Sequence, residues 1–156
     1  MPTPFHQGIV RFLFRMLEVF VIAQGTGEVF FAPLPIRLWQ GKFRDPDLAF
    51  FRPGRLTDRH RRPQGADLVM EVVSPDEEDR QRDITIKREE YARASILEYW
   101  IVDPQERRIT VLSLDGQTYR VFGECGPGTT ASSLLLTGFA VSVDAVFAAG
   151  EGNRQA

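Results

Sequence analysis

The chain has one cysteine, Cys125, which excludes an internal disulfide framework and a cysteine-ligated zinc cluster and fits a reducing, cytoplasmic setting. Lysine is nearly as scarce: Lys42 and Lys87 are the only two among nineteen Lys and Arg residues. There is no surplus of positive charge either, because those nineteen cations face twenty-one Asp and Glu and leave a net charge of -2. A case for nucleic-acid binding therefore has to rest on local patches. The apolar stretch from Phe12 to Ala23 contains Arg15 and Glu18 and is too short and too charged to span a bilayer. No secretory signal is evident.

What is present describes a globular chain: 43% apolar and 26% charged residues over 156 positions match one domain with a sizeable core. We expect that domain over 1–150 and a frayed tail over 151–156. From Phe5 to Gln24, Ile9, Val10, Leu13, Met16, Leu17 and Phe20 recur at helical spacing, and Gly25-Thr26-Gly27 ends the run. His6 falls in the first turn of that helix, where a surface or capping role is expected. Glu28 to Trp39 reads as strand broken near Pro33 and Pro35, followed by a hairpin turn at Gln40-Gly41-Lys42 that leads into a strand opening at Asp47. A charged helix is expected from Asp76 through Ile96, a strand from Glu98 to Val102, and an Asp115-Gly116 hairpin between Arg108 and Phe122. Tyr99 and Trp100 read as core.

Two carboxylates break the apolar pattern. Asp47 opens Leu48-Ala49-Phe50-Phe51, and Glu71 interrupts Leu68 to Val73. With side chains alternating along a strand, Glu71 shares a face with Val69 and Val73, opposite Leu68, Met70 and Val72. Burying an ionised carboxylate costs several kcal/mol unless a cation or hydrogen bonds compensate it. On neighbouring strands the two acids can converge on one divalent cation, and oxygen donors of this kind suit Mg²⁺ or Mn²⁺. By spacings of three and four, the charged helix puts Asp83, Lys87, Tyr91 and Ala94 on one side. Read alone, Asp83 and Lys87 are an ordinary surface ion pair worth about 0.3–0.5 kcal/mol.

The ordered set Pro46-Asp47-Leu48-Ala49-Phe50, Glu71-Val72-Val73-Ser74-Pro75, Asp83-Ile84-Thr85-Ile86-Lys87, Tyr91-Ala92 and Glu98-Tyr99-Trp100-Ile101-Val102-Asp103-Pro104 resembles the bacterial Uma-two family of restriction endonucleases. That family is a branch of the PD-(D/E)XK nucleases. The usual lysine position is taken here by Val73, and the resemblance implies that the lysine comes from the following helix, as Lys87. It also implies an α/β (α+β) restriction-endonuclease-like fold, a mixed β-sheet with flanking helices. The implied activity is metal-dependent hydrolysis of phosphodiester bonds in DNA. Asp47 and Glu71 would hold Mg²⁺ (or Mn²⁺) with the Val72 carbonyl as a further ligand, and Asp47, Glu71 and Lys87 would form the catalytic set. Members of the family usually begin with a further helix and hairpin, so an uncovered apolar surface and a homodimer are expected here.

The loop from Arg52 to Gly65 carries Arg52, Arg55, Arg59, Arg61, Arg62 and His60 against Asp58. Arg59, Arg61 and Arg62 are candidate phosphate contacts, and a solvated surface is the alternative. For the whole chain, the alternative to an enzyme is a catalytically silent nucleic-acid- or partner-binding protein that keeps the fold.

Overall fold

A computed structural model describes residues 2–152. Helix α1 spans Pro4–Gln24: Thr3 caps it by accepting the His6 N–H at 3.2 Å, Pro4 occupies its first turn, and Gly25 ends it at φ 64°. The strands are β1 Glu28–Phe31, β2 Ile36–Trp39, β3 Lys42–Arg44, β4 Leu48–Phe51, β5 Leu68–Val72, β6 Glu98–Asp103, β7 Arg108–Asp115, β8 Thr118–Cys125, β9 Thr130–Ser132 and β10 Ala140–Ser142. Between β5 and β6 run α2 (Glu77–Gln81), a π-helical turn over Arg82–Ile86, and α3 (Lys87–Arg93); α4 is Val143–Ala149.

The central sheet has the order β1-β4-β5-β6-β7-β8, with β5 and β6 parallel and the other neighbours antiparallel. A parallel pair needs a crossover connection, and the charged segment between β5 and β6 supplies it. Helices cover both faces. On one, α1 and α4 bury Ile9, Leu13, Leu17 and Val146 against Leu48, Phe50, Met70, Val72 and Trp100. On the other, Tyr91, Ala92 and Ile96 pack on Ala49, Phe51, Val69, Val73 and Tyr99. This is the expected mixed sheet with flanking helices. Tyr99 and Trp100 are fully buried.

The hairpin differs from expectation. β2 and β3 do pair around Gly41, but as a separate two-stranded sheet, and β4 pairs instead with β1 and β5. The height of Asp47 is thus set by β1 and β5, not by the hairpin. The hairpin turns to α3, where Arg44 makes a bidentate pair with Glu90 at 2.6 and 2.9 Å and Lys42 Nζ lies 3.2 Å from the same carboxylate. In the tail expected to fray, Glu151 and Gly152 still bond back to Ala148 and Ala149, and 153–156 lie outside the described residues. No helix among the described residues is long and apolar enough to cross a membrane.

Gly8 is where α1 meets α4. A Cβ there would stand 2.5 Å from the Ala149 carbonyl oxygen. Helix propensity favours Gly→Ala by roughly 1 kcal/mol, but a backbone clash of this kind outweighs it. Gly8→Ala should destabilise the fold by about 1–3 kcal/mol, read as a lower urea midpoint. A neutral or stabilising result would mean that α4 yields freely.

Candidate active site

β4 and β5 run antiparallel with Leu48 opposite Met70, so the next pair outward is Asp47 and Glu71. Cross-strand partners share a face, and both acids stand on the face covered by α3. Asp47 Oδ2 accepts the Val72 N–H at 2.7 Å, a bond that ties the opening of β4 to the end of β5 and leaves Oδ1 over. Alternation also holds along β5: Leu68, Met70 and Val72 enter the α1 core, while Val69 and Val73 enter the other.

Glu71 is 3% exposed. Its Oε1 accepts the Tyr91 hydroxyl at 2.7 Å and lies 3.2 Å from Lys87 Nζ, which is 2.8 Å from Asp83 Oδ1. The three helix residues are spaced by four, yet they meet in a buried cluster and not on a solvated face. Ala94, the fourth of the set, caps α3 and packs on the core beside them.

The π-helical turn has a clear role in this. The Lys87 N–H reaches the Arg82 carbonyl, where an α-helical bond would have taken the Asp83 carbonyl. The Asp83 carbonyl instead receives the Tyr99 hydroxyl at 2.7 Å, so a core tyrosine fixes the turn from which Asp83 and Lys87 project.

Electrostatics follow from burial. Glu71 is pushed up to about 8, chiefly by loss of water, with Lys87 opposing. Burial likewise raises Asp83, again against Lys87. For Lys87 burial pulls the pKa down, but the charges of Glu71 and Asp83 outweigh it and the amine sits above its ordinary value. Lys87 therefore stays an ammonium at neutral pH. Lys42, held by Glu90, is absent from the residues lining the cleft.

A cleft of about 640 Å³ opens over the cluster, lined among others by His6, Asp47, Glu71, Val72, Asp83 and Lys87. His6 was not expected there. Its Nε2 lies 3.4 Å from Asp47 Oδ2, and the hydrogen bond to Asp47, reduced by burial, raises the imidazole pKa. A signal existed in the sequence: His6 precedes Ile9, Val10 and Leu13 by three, four and seven residues, so it continues the buried stripe of α1.

The basic loop lies elsewhere. It joins the end of β4 to the start of β5, which is the opposite end of these strands from Asp47 and Glu71. Arg59 makes a bidentate pair with Glu28 at 2.8 and 3.1 Å, Arg61 is 3.5 Å from Asp58 with its side chain 84% exposed, and Arg62 stacks on Phe43 at 5.3 Å. None of the three lines the cleft.

Among the described residues, no three or more His, Cys, Asp or Glu side chains form a ready metal cage. A magnesium ion does not need one: it is commonly bound by one or two carboxylates and keeps waters and substrate phosphate oxygens. Asp47 Oδ2 and Glu71 Oε1 carry the contacts given above, and the donors this part of the cleft offers, the carboxylates of Asp47 and Glu71 with the backbone of Val72 beside them, are of the oxygen type that Mg²⁺ or Mn²⁺ would take.

The profile of the Uma2 family, described as "Putative restriction endonuclease", matches residues 1–144. A crystal structure of a "putative nuclease belonging to DUF820" from Anabaena variabilis superposes with a TM-score of 0.77 at 19% identity, over 96% of this chain and 84% of that one. At that identity the likeness is one of fold. A search of curated proteins found no match.

With no cation bound, the fold favours protonated Glu71: its folded pKa of about 8 exceeds the ordinary 4.5. The Glu71 contribution to stability should be full below about 4.5 and be lost as pH rises towards about 8, with Asp83 and His6 adding contributions of the same sign. Thermal melts in EDTA between pH 5 and 8 should show this slope, and Glu71→Gln should flatten it. An unchanged slope in the variant would mean that burial of Glu71 is not its source.

Proposed function

The chain belongs to the Uma2 family, and from that premise we propose that it is a metal-dependent endonuclease that hydrolyses phosphodiester bonds in DNA. The observation that carries this reading is the convergence of Glu71, Asp83 and Lys87 within 3.2 Å contacts beside Asp47, in one cleft.

Asp47 and Glu71, with the Val72 carbonyl, would hold Mg²⁺ or Mn²⁺, which when bound neutralises charge on a phosphate and makes water more acidic. The Lys87 ammonium, held above its ordinary pKa by Glu71 and Asp83, has one N–H beyond those two contacts and donates it to the phosphate oxygen on which charge accumulates. It stabilises charge and does not remove the proton: the attacking water gives its proton to bulk water, and the leaving oxygen takes one from the same source. Asp83 fixes the amine at 2.8 Å, and Tyr91 holds the Glu71 carboxylate. The arginines 59, 61 and 62 supply salt-dependent affinity for the backbone of a duplex that extends past the cleft.

Wild-type protein should cleave DNA in Mg²⁺ or Mn²⁺ and not in EDTA. Lys87→Ala should abolish cleavage and retain Mg²⁺ binding, while Glu71→Gln should lose both. Lys87→Arg should recover part of the activity, because charge is retained. Full cleavage by a folded Lys87→Ala protein would reject the mechanism. Metal and DNA binding by wild type without cleavage would leave a silent binding protein. Replacing Arg59, Arg61 and Arg62 together by alanine should weaken DNA binding and flatten its salt dependence without altering the chemical step; an unchanged salt slope would reject the loop as a DNA contact.

Self-association belongs to the same proposal. Val19 and Ile22 are each 70% exposed on α1, and Phe31 is 57% exposed on β1, an edge strand; exposed apolar side chains and an open edge are features that a second copy covers. Light scattering should report a dimer, and a monomer at high concentration would refute it.

A further inference from the structure

We infer that His6 is the positioning residue of the candidate cation site, holding one oxygen of Asp47 so that the other is presented to the metal. The inference rests on the metal-dependent reading above and assigns a role to a residue outside the Asp47, Glu71 and Lys87 set.

Two donors converge on Asp47 Oδ2. One is the Val72 N–H at 2.7 Å, from the strand next door. The other is His6 Nε2 at 3.4 Å, from a helix on the opposite face of the sheet. Asp47 stands before the first residue of β4, at the open end of the sheet, so a side chain from α1 can reach it around that end. With Oδ2 engaged from both sides, the carboxylate has one remaining orientation and Oδ1 is the oxygen free to serve a cation. His6 and Val72, whose carbonyl is the further candidate donor, line the same cleft.

The other ring nitrogen narrows the role. Nδ1 is buried and has no partner, so the ring acts through Nε2 alone. The side chain is itself fixed: its backbone N–H is tied to the Thr3 hydroxyl, and Pro4 sets the first turn. Outer residues that orient metal-binding side chains typically change affinity by about 10- to 100-fold when lost.

The test is calorimetric titration of Mg²⁺ and Mn²⁺ into folded wild type and variants, with no substrate present. Glutamine carries an N–H at about the reach of Nε2, and asparagine at about the reach of Nδ1. His6→Gln should bind both ions within about twofold of wild type, whereas His6→Asn and His6→Phe should each lose about tenfold or more, equally for the two ions. Unchanged affinity in His6→Phe would overturn the inference, as would His6→Gln failing as badly as His6→Asn. A loss confined to Mn²⁺ would also overturn it, because it would make the imidazole a ligand. If wild type binds neither ion, the metal-dependent reading fails, and His6 falls with it. A wild type that binds and a His6→Phe variant that binds equally well would reject His6 alone.

Discussion

The ammonium of Lys87 is flanked by two carboxylates that the fold has removed from water. Glu71 lies 3.2 Å away and Asp83 2.8 Å away, and both are at most 7% exposed. Two buried carboxylates with no cation beside them would be costlier still to ionise, and the rest of the local architecture delivers this one. The parallel β5–β6 pair requires a crossover, the crossover is helical, and the helix carries Lys87 back over the strand that holds Glu71. Tyr91, one turn further on, gives Glu71 Oε1 a second donor. The same contact that makes burial tolerable puts a permanent positive charge at the edge of the cleft, so folding and the proposed chemistry draw on one interaction.

The helix is not regular, and its irregularity has a cause. A shift to π-helical bonding moves the Lys87 N–H to the Arg82 carbonyl and releases the Asp83 carbonyl to Tyr99. Tyr99 is in turn packed edge-on against Tyr91 with ring centroids 5.0 Å apart. The direction in which Lys87 projects is therefore set from inside the core. Farther out, Arg80 clasps Asp103 with two bonds at 2.8 and 2.9 Å, which fastens the start of the same segment to the end of β6.

Much of this was legible because strand alternation is a local property. Glu71 among valines predicts a carboxylate facing the interior, and the acid opening the neighbouring apolar run predicts its partner; the β4–β5 register puts the two opposite one another. Burial of the Asp83–Lys87 pair was not legible, since a spacing of four looks the same on a solvated helix and on a docked one. The partner of β4 was misjudged because the Gly41 turn does make a hairpin, and nothing in a hairpin says which sheet it joins. His6 was passed over for a related reason: its place in the apolar stripe was visible, but its meeting with Asp47 depends on how α1 lies across the sheet. The arginine loop was legible as a basic segment, but its place was not: chain direction puts the acids and the loop at opposite ends of the same two strands.

That same topology bears on whether the site can be moved. Asp47, Glu71 and Lys87 span a short segment of the chain, and excising that segment would keep all three side chains. It would also discard β6, against which the crossover helix docks and from which Tyr99 reaches Asp83. It would discard β1, which sets one side of β4, and α1, which supplies His6. A graft that copied the three residues onto another scaffold would need to import a parallel neighbour, an antiparallel neighbour and a helix from the far face to reproduce their distances. The constellation is a property of the whole sheet and has no smaller portable unit.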